Sequence, residues 1–306
     1  MSLLSLIAAF VLEQIRPQAQ RGLIPMLFAR YANMLARHYN AGERQQGSIA
    51  WVLALAPWVT IALGAYYLLL QFHPALGLAW NVVVLYFTIS FRPFSHFFTN
   101  ISEALQAGDL ARACELLAQW RGESTGEYSS SEIAKVAIEE GLVNAHRNVF
   151  GVIFWFLILP GPSGAIVYRL AANLHARWGQ RLDEEQREFG FFARRAFALI
   201  DWIPARATAM TFALAGDFED AIECWRSQAV AWSRSDEGIV LASGAGALGV
   251  RLGETLHHHG AVSFRPELGM GVEADATSMV SAAAMIWRGV LIWLVVLTLA
   301  TVMLAF

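Results

Sequence analysis

Ala196-Phe197-Ala198-Leu199-Ile200-Asp201-Trp202-Ile203-Pro204-Ala205-Arg206-Ala207-Thr208-Ala209-Met210-Thr211-Phe212-Ala213-Leu214 is apolar enough for membrane depth, yet carries an acid, a proline and a base at its centre. An intramembrane acid and base each cost several kcal/mol unless they pair, meet water or bind something, so Asp201 and Arg206 mark a functional site. Five residues apart they are poor helical neighbours, and Pro204 removes a backbone donor between them. The stretch predicts a bent or re-entrant segment beside a polar cavity, because irregular backbone at that depth survives only where protein or water satisfies it.

The rest of the chain supplies a membrane setting. Of its 306 residues 56% are hydrophobic and only 15% charged. Residues 51–72, 76–91 and 285–306 approach the roughly 20 apolar residues that a spanning helix needs, and 3–12 reads as a short anchor or interfacial helix without the flanks of a cleavable signal. Residues 149–170 are interrupted by Pro160-Gly161-Pro162-Ser163-Gly164, which predicts either a hairpin dipping into the membrane or one kinked helix. The expectation is an all-α, polytopic integral membrane protein of about four to five spans with re-entrant or broken helices. It forms one membrane domain over 1–306, with polar helical segments at 92–148 and 216–282 packed on it. Arg16, Arg21, Arg30, Arg37 and Arg44 against Glu43 place the segment 16–44 in the cytoplasm, and the two polar segments are assigned to the same side. The net charge of −3 and the lack of a basic block exclude nucleic acid as partner, leaving lipid, an anionic small molecule and a second copy of the chain. Cys114 and Cys224 are too few for a disulfide framework or zinc cluster and read as buried thiols.

Two phrases punctuate the polar segments alike. Ala107-Gly108-Asp109-Leu110 and Ala215-Gly216-Asp217-Phe218 each read as one helix ending at Gly and another starting at an Asp cap, either as ordinary punctuation or as the trace of an internal repeat. The run from Leu241 to Gly253 contains the spacing Gly244, Gly246, Gly249 with Arg251 as an anion-binding candidate. It lacks the Gly-Lys-Ser/Thr of a phosphate loop, so tight packing of a helix or turn is expected. His257, His258 and His259 are consecutive and cannot converge on one centre, so a polar loop is expected there and no metal site. Glu139, Glu140, His146, Arg147 and Asn148 precede a membrane entry, and Arg194 and Arg195 precede Asp201. Each group reads as interfacial snorkelling or as the polar rim of an anion site.

Together these phrases resemble the superfamily of CobD/CbiB cobalamin-biosynthesis proteins and AmpE proteins. The resemblance is carried by Glu103-Ala104-Leu105 with Ala107-Gly108-Asp109-Leu110, Asn144 with Phe154-Trp155, Phe189-Gly190 with Ala193-Arg194-Arg195, Ile203-Pro204-Ala205-Arg206, and Gly246 to Gly253. The CobD/CbiB likeness implies an enzyme of the bacterial inner membrane resembling adenosylcobinamide-phosphate synthase. Such an enzyme joins a corrinoid carboxylate to an aminopropanol-type amine as an amide, with ATP and Mg as cofactors. Ligand-binding roles then fall to Asn144, Arg195, Asp201, Arg206 and Arg251, with the catalytic residue unassigned. The phrase Asp201, Trp202, Pro204, Arg206 is similar to AmpE, which implies instead a non-catalytic sensor or scaffold linked to cell-wall turnover and beta-lactamase induction. The chain departs from the CobD/CbiB pattern at three acidic positions. They fall in Asn144-Ala145-His146-Arg147-Asn148, in Asn173-Leu174-His175-Ala176-Arg177-Trp178 and at Phe197-Ala198, and their loss removes charge that would offset a magnesium-nucleotide.

Overall fold

The computed structural model describes residues 2–15, 23–40, 43–89, 92–122, 128–180, 184–232, 235–258 and 261–303. Its helices are α1 (Ser2–Ile15), α2 (Leu23–Tyr39), α3 (Arg44–Phe72), α4 (Pro74–Thr88), α5 (Arg92–Gln106), α6 (Leu110–Arg121), α7 (Ser130–Ala145), α8 (Gly151–Ile158), α9 (Ser163–Leu174), α10 (Glu184–Phe189), α11 (Phe191–Ala215), α12 (Phe218–Gln228), α13 (Ser235–Leu248) and α14 (Ala276–Met303). Two π-helical turns, His146–Phe150 and His175–Gly179, follow α7 and α9. Five short strands lie between α13 and α14: β1 (Val250–Leu252), β2 (Leu256–His258), β3 (Ala261–Ser263), β4 (Leu268–Gly269) and β5 (Val272–Glu273). The architecture is all-α with a small β insert.

Three helical stretches are long and apolar enough to cross a membrane: Arg44–Phe72, Ser130–Ile158 and Ala276–Met303. The first and third leave Ile61, Phe72, Leu291 and Leu299 exposed, an outward apolar face suited to lipid and not to water. The second revises the reading of 92–148 as polar throughout. Its first half, α7, buries Glu132, Lys135 and Glu139 instead of presenting them to solvent. The expected span 76–91 is the shorter helix α4. The expected span 285–306 is α14, which starts earlier, at Ala276, and whose last three residues lie outside the described ones.

The chain divides into two compact units, Met1–Arg92 with Arg147–Trp202, and Pro93–His146 with Ile203–Phe306. In the first, Phe28, Leu35, Leu55, Leu174, Trp178 and Phe189 form a core between α2, α3 and the α9–α10 region. Gly47 permits the close approach of α3, since a Cβ there would stand 2.0 Å from the carbonyl oxygen of Phe189. The Pro160–Gly164 interruption is a hairpin, one of the two alternatives the sequence left open. α8 ends at Ile158, Ser163 Oγ donates to the Pro160 carbonyl at 2.7 Å, and α9 packs back on α8. Gly164 is required at this contact: a Cβ on it would meet the Trp155 carbonyl oxygen at 1.8 Å.

The expectation of a re-entrant segment around Asp201 is corrected, because α11 runs unbroken from Phe191 to Ala215 with Pro204 inside it. Proline cannot donate to the carbonyl four residues earlier, that of Ile200. The indole Nε1 of Trp155 donates to that carbonyl at 3.0 Å, so a neighbouring helix supplies the missing hydrogen bond.

In the second unit both Gly-Asp phrases act as helix punctuation. Asp109 caps α6 by accepting from Arg112 N at 3.0 Å, and Asp217 caps α12 by accepting from Asp220 N at 3.1 Å. Ser129 and Glu132 form a reciprocal capping box at the start of α7. The glycine run is a packing device, as expected. Gly244 makes room for Leu142 and Gly246 for the Asp220 backbone, and Gly249, at φ 63°, ends α13 and turns the chain into β1. β1 pairs antiparallel with β4 and parallel with β5, while β2 and β3 form a separate hairpin. His257 and His258 stand on β2, and His259 lies outside the described residues.

Candidate functional site

A cluster of polar side chains stands out in each unit. In the first, Asp201 is 1% exposed and accepts a hydrogen bond of 2.7 Å from the hydroxyl of buried Tyr168. The tyrosine reaches it because residue 151 is glycine; a Cβ there would stand 2.1 Å from the ring. Phe197, one turn before Asp201 on α11, is the hub of the cluster. His175 stacks on it at 4.9 Å between centroids, Tyr168 lies 5.8 Å away, and the Arg147 guanidinium stands 5.7 Å from its centroid. Arg169 donates to Asn148 Oδ1, and Asn173 Nδ2 donates to the Arg169 carbonyl at 3.0 Å.

Both π turns feed this cluster: the first carries Arg147 and Asn148, the second His175. A π turn inserts a residue into a helix and re-aims its neighbours, and such turns concentrate at functional sites. Two departures from the CobD/CbiB pattern, at Arg147 and Phe197, thus meet at one ring, and His175, from the phrase that carries the third, stacks on it. Arg195 is exposed and not part of this group; with Arg194 and Arg44 it surrounds the ring of Phe191, at 6.0, 5.9 and 4.4 Å respectively.

The second unit gathers a charged network between α7 and the β insert. Lys135, the only lysine in the chain, is buried and donates to Glu254, with Glu273 at 3.4 Å. Glu139 accepts from Gly253 N at 2.8 Å and pairs with Arg265, which also donates to the Gly253 carbonyl at 2.9 Å. Arg251 lies 3.9 Å from Glu254. Glu254 has φ 61°, a left-handed conformation that an L-residue with a long side chain rarely adopts, and it is held there by its contacts to Lys135 and Arg251. The Ser131 hydroxyl, then Lys135, hold the Glu273 carboxyl below its ordinary range. Of the proposed ligand-binding residues, Arg251 belongs to this network, as does Glu139 from the group read as a candidate rim. Asn144 donates to the Glu140 carbonyl at 2.7 Å, one turn back on its own helix, and Arg206 stands 3.9 Å from Asp236. Among the described residues, no three His, Cys, Asp or Glu side chains gather as metal ligands.

Sequence reasoning missed Glu254, Arg265 and Glu273, whose partners lie more than a hundred residues away on α7. The signals present were the solitary Lys135 in an apolar helix and the Gly253-Glu254 step after the glycine run.

Comparison with known proteins points in one direction. The family model described as CobD/Cbib protein matches residues 6–286. The cobalamin biosynthesis protein CobD of Stutzerimonas stutzeri is 36% identical, the match covering 96% of this chain and 96% of that protein. CobD of Chromobacterium violaceum is also 36% identical, over 82% of this chain and 78% of its own. The cobalamin biosynthesis protein CbiB of Salmonella typhimurium is 24% identical over 78% of this chain and 77% of its own. No solved structure gives a significant match. The AmpE side of the resemblance receives no support from these matches.

Proposed function

The chain belongs to the CobD/CbiB family, and from that premise we propose that it acts in cobalamin biosynthesis at the inner membrane, as a multi-pass protein. The step is the one the resemblance implies, formation of an amide between a corrinoid carboxylate and an aminopropanol-type amine. The observation that carries the reading is 36% identity sustained over 96% of both chains with a cobalamin biosynthesis protein CobD. Asp201 and the arginines then serve as ligand-holding groups. Guanidinium forks match carboxylate and phosphate oxygens, and Asp201, oriented by Tyr168, offers an acceptor for an amine or hydroxyl. Asn144 and Arg206 lie in the second unit and Arg195 on an exposed face, and each is proposed for the same ligand-holding task.

ATP would enter such a condensation as a co-substrate. A resident magnesium ion does not fit either donor set. Among the described residues, the Asp201 carboxylate beside Phe197 takes the Tyr168 hydroxyl and the Arg147 guanidinium stands over the ring, and in the second cluster Glu139, Glu254 and Glu273 each face Lys135 or an arginine.

Complementation tests the role. A strain lacking its own CobD and dependent on de novo cobalamin should grow when given this chain, and growth should fail with Asp201→Ala. No growth with the wild-type chain, present in the membrane at normal amount, would overturn the reading.

A further inference from the structure

We infer that the outward face of α2 is a seat for an anionic phospholipid, whose headgroup is held by Arg30 and Arg37. Within the first unit α2 packs along α3: Phe28 meets Trp58 edge to face at 6.1 Å between centroids, and the Tyr31 hydroxyl donates to the Leu53 carbonyl at 2.9 Å. Because α2 ends at Tyr39 and α3 begins at Arg44, the two run antiparallel. Arg30 therefore stands level with residues 53–58 of α3, where its apolar run has begun. Arg37 stands about 10.5 Å further along the axis, level with the polar start of α3.

Phe28, Ala32 and Leu35 form the buried side of α2. Arg30 and Arg37, seven residues apart, lie on the other side with Met26 and Met34, which are 45% and 57% exposed. Arg30, Asn33, Met34, Arg37 and His38 line an open cleft of about 510 Å³. Among the described residues, the cleft has no acid in its lining and neither arginine has an ion-pair partner. An arginine that faces lipid without a counter-charge is costly, and near a helix end its long side chain lowers that cost by reaching the headgroups. The composition of the face selects the occupant. Two guanidiniums call for an anion and the methionines beside them for acyl chains, a combination that a phospholipid offers and free phosphate does not. Anionic lipid is abundant in the cytoplasmic leaflet, the side to which the arginines of residues 16–44 assign this segment. A second copy docked on the same face by twofold symmetry would set arginine against arginine. The inference rests on the membrane reading of α3 and not on the corrinoid chemistry, so each can fail alone.

The test is native mass spectrometry of the full chain, released from detergent with phosphatidylglycerol or with phosphatidylcholine of identical acyl chains. Preferential retention of phosphatidylglycerol is expected. Arg30→Gln and Arg37→Gln should each weaken it about fivefold, and the double variant should retain the two lipids alike. On the wild type, phosphatidylglycerol carrying a diazirine in its headgroup should label α2, a readout that stands even if the variants fail to fold. Equal retention of the two lipids by the wild type, an unchanged preference in the double variant, displacement of the lipid by inorganic phosphate, or labelling confined to other helices would overturn the proposal. So would a wild-type dimer that shows no lipid preference and is split by the double substitution, which would assign the face to a second copy.

Discussion

Trp155→Phe tests how α11 carries a proline without breaking. In the wild-type chain the Ile200 carbonyl has lost its helical donor to Pro204 and is served by the indole at 3.0 Å. Phenylalanine keeps most of the ring packing but leaves that carbonyl without its donor, a cost of about 1–3 kcal/mol, with about 1 kcal/mol more for the smaller ring. Pro204→Ala restores a backbone N–H for the same carbonyl. In the wild-type background that N–H competes with the indole, whereas in the Trp155→Phe background it replaces it. Pro204→Ala should therefore stabilise the Trp155→Phe protein by about 1–2 kcal/mol more than it stabilises the wild type. Denaturant unfolding of the four proteins in one detergent, followed by far-UV circular dichroism, measures this coupling. Additivity within about 0.5 kcal/mol, the usual limit for independent sites, would refute the argument.

Further outcomes follow from the two clusters. Gly151→Ala forces a Cβ into the Tyr168 ring, so it should destabilise by about 1–3 kcal/mol and reduce complementation through displacement of Tyr168 from Asp201. Lys135→Met leaves Glu254 and Glu273 facing each other without their shared cation; because both acids are partly exposed, the loss should be about 1–3 kcal/mol, below that of a fully buried pair, as thermal unfolding would show. The Glu273 carboxyl titrates below its ordinary 4.5 in the folded chain, so its contribution is complete above that value and is lost as pH falls through the lower folded value. Wild type should therefore lose more stability in that acid window than Glu273→Gln, the remainder of the loss coming from carboxyls such as Glu188 and Asp275 that are also held low. Burial first, then Asp220 and Glu223, push the Cys224 thiol up to about 11. Iodoacetamide at pH 8 should modify Cys224 only after unfolding, and rapid native labelling would contradict its burial.

What the sequence made legible was local. The hairpin at Pro160–Gly164 and the two Gly-Asp caps could be read because turn and cap chemistry resides in the residues themselves. Asp201 could be read as buried because an acid inside an apolar run has few alternatives. The continuity of α11 could not, since it depends on a tryptophan 49 positions before the proline. Nor could the burial of α7. Lys135 and Glu139 belong to a stretch that reads as a polar helical segment until Glu254 and Glu273 arrive from the β insert to meet the lysine and Arg265 to meet Glu139, while Glu132 closes the capping box with Ser129. The Phe197 cluster lay between these cases. Arg147 and Phe197 stood out as departures from a family pattern and Asp201 as a buried acid, but Tyr168 did not, and two π turns, invisible in sequence, bring Arg147 and His175 to the same ring.

The most direct test of the central claim is product formation by the purified full chain, supplied with a corrinoid acid, an aminopropanol phosphate, ATP and magnesium and analysed by mass spectrometry. The account predicts a product with the mass of the two substrates less one water, formed by the wild type and strongly reduced in Asp201→Ala. Neither amide nor corrinoid binding from well-folded wild-type protein would contradict it.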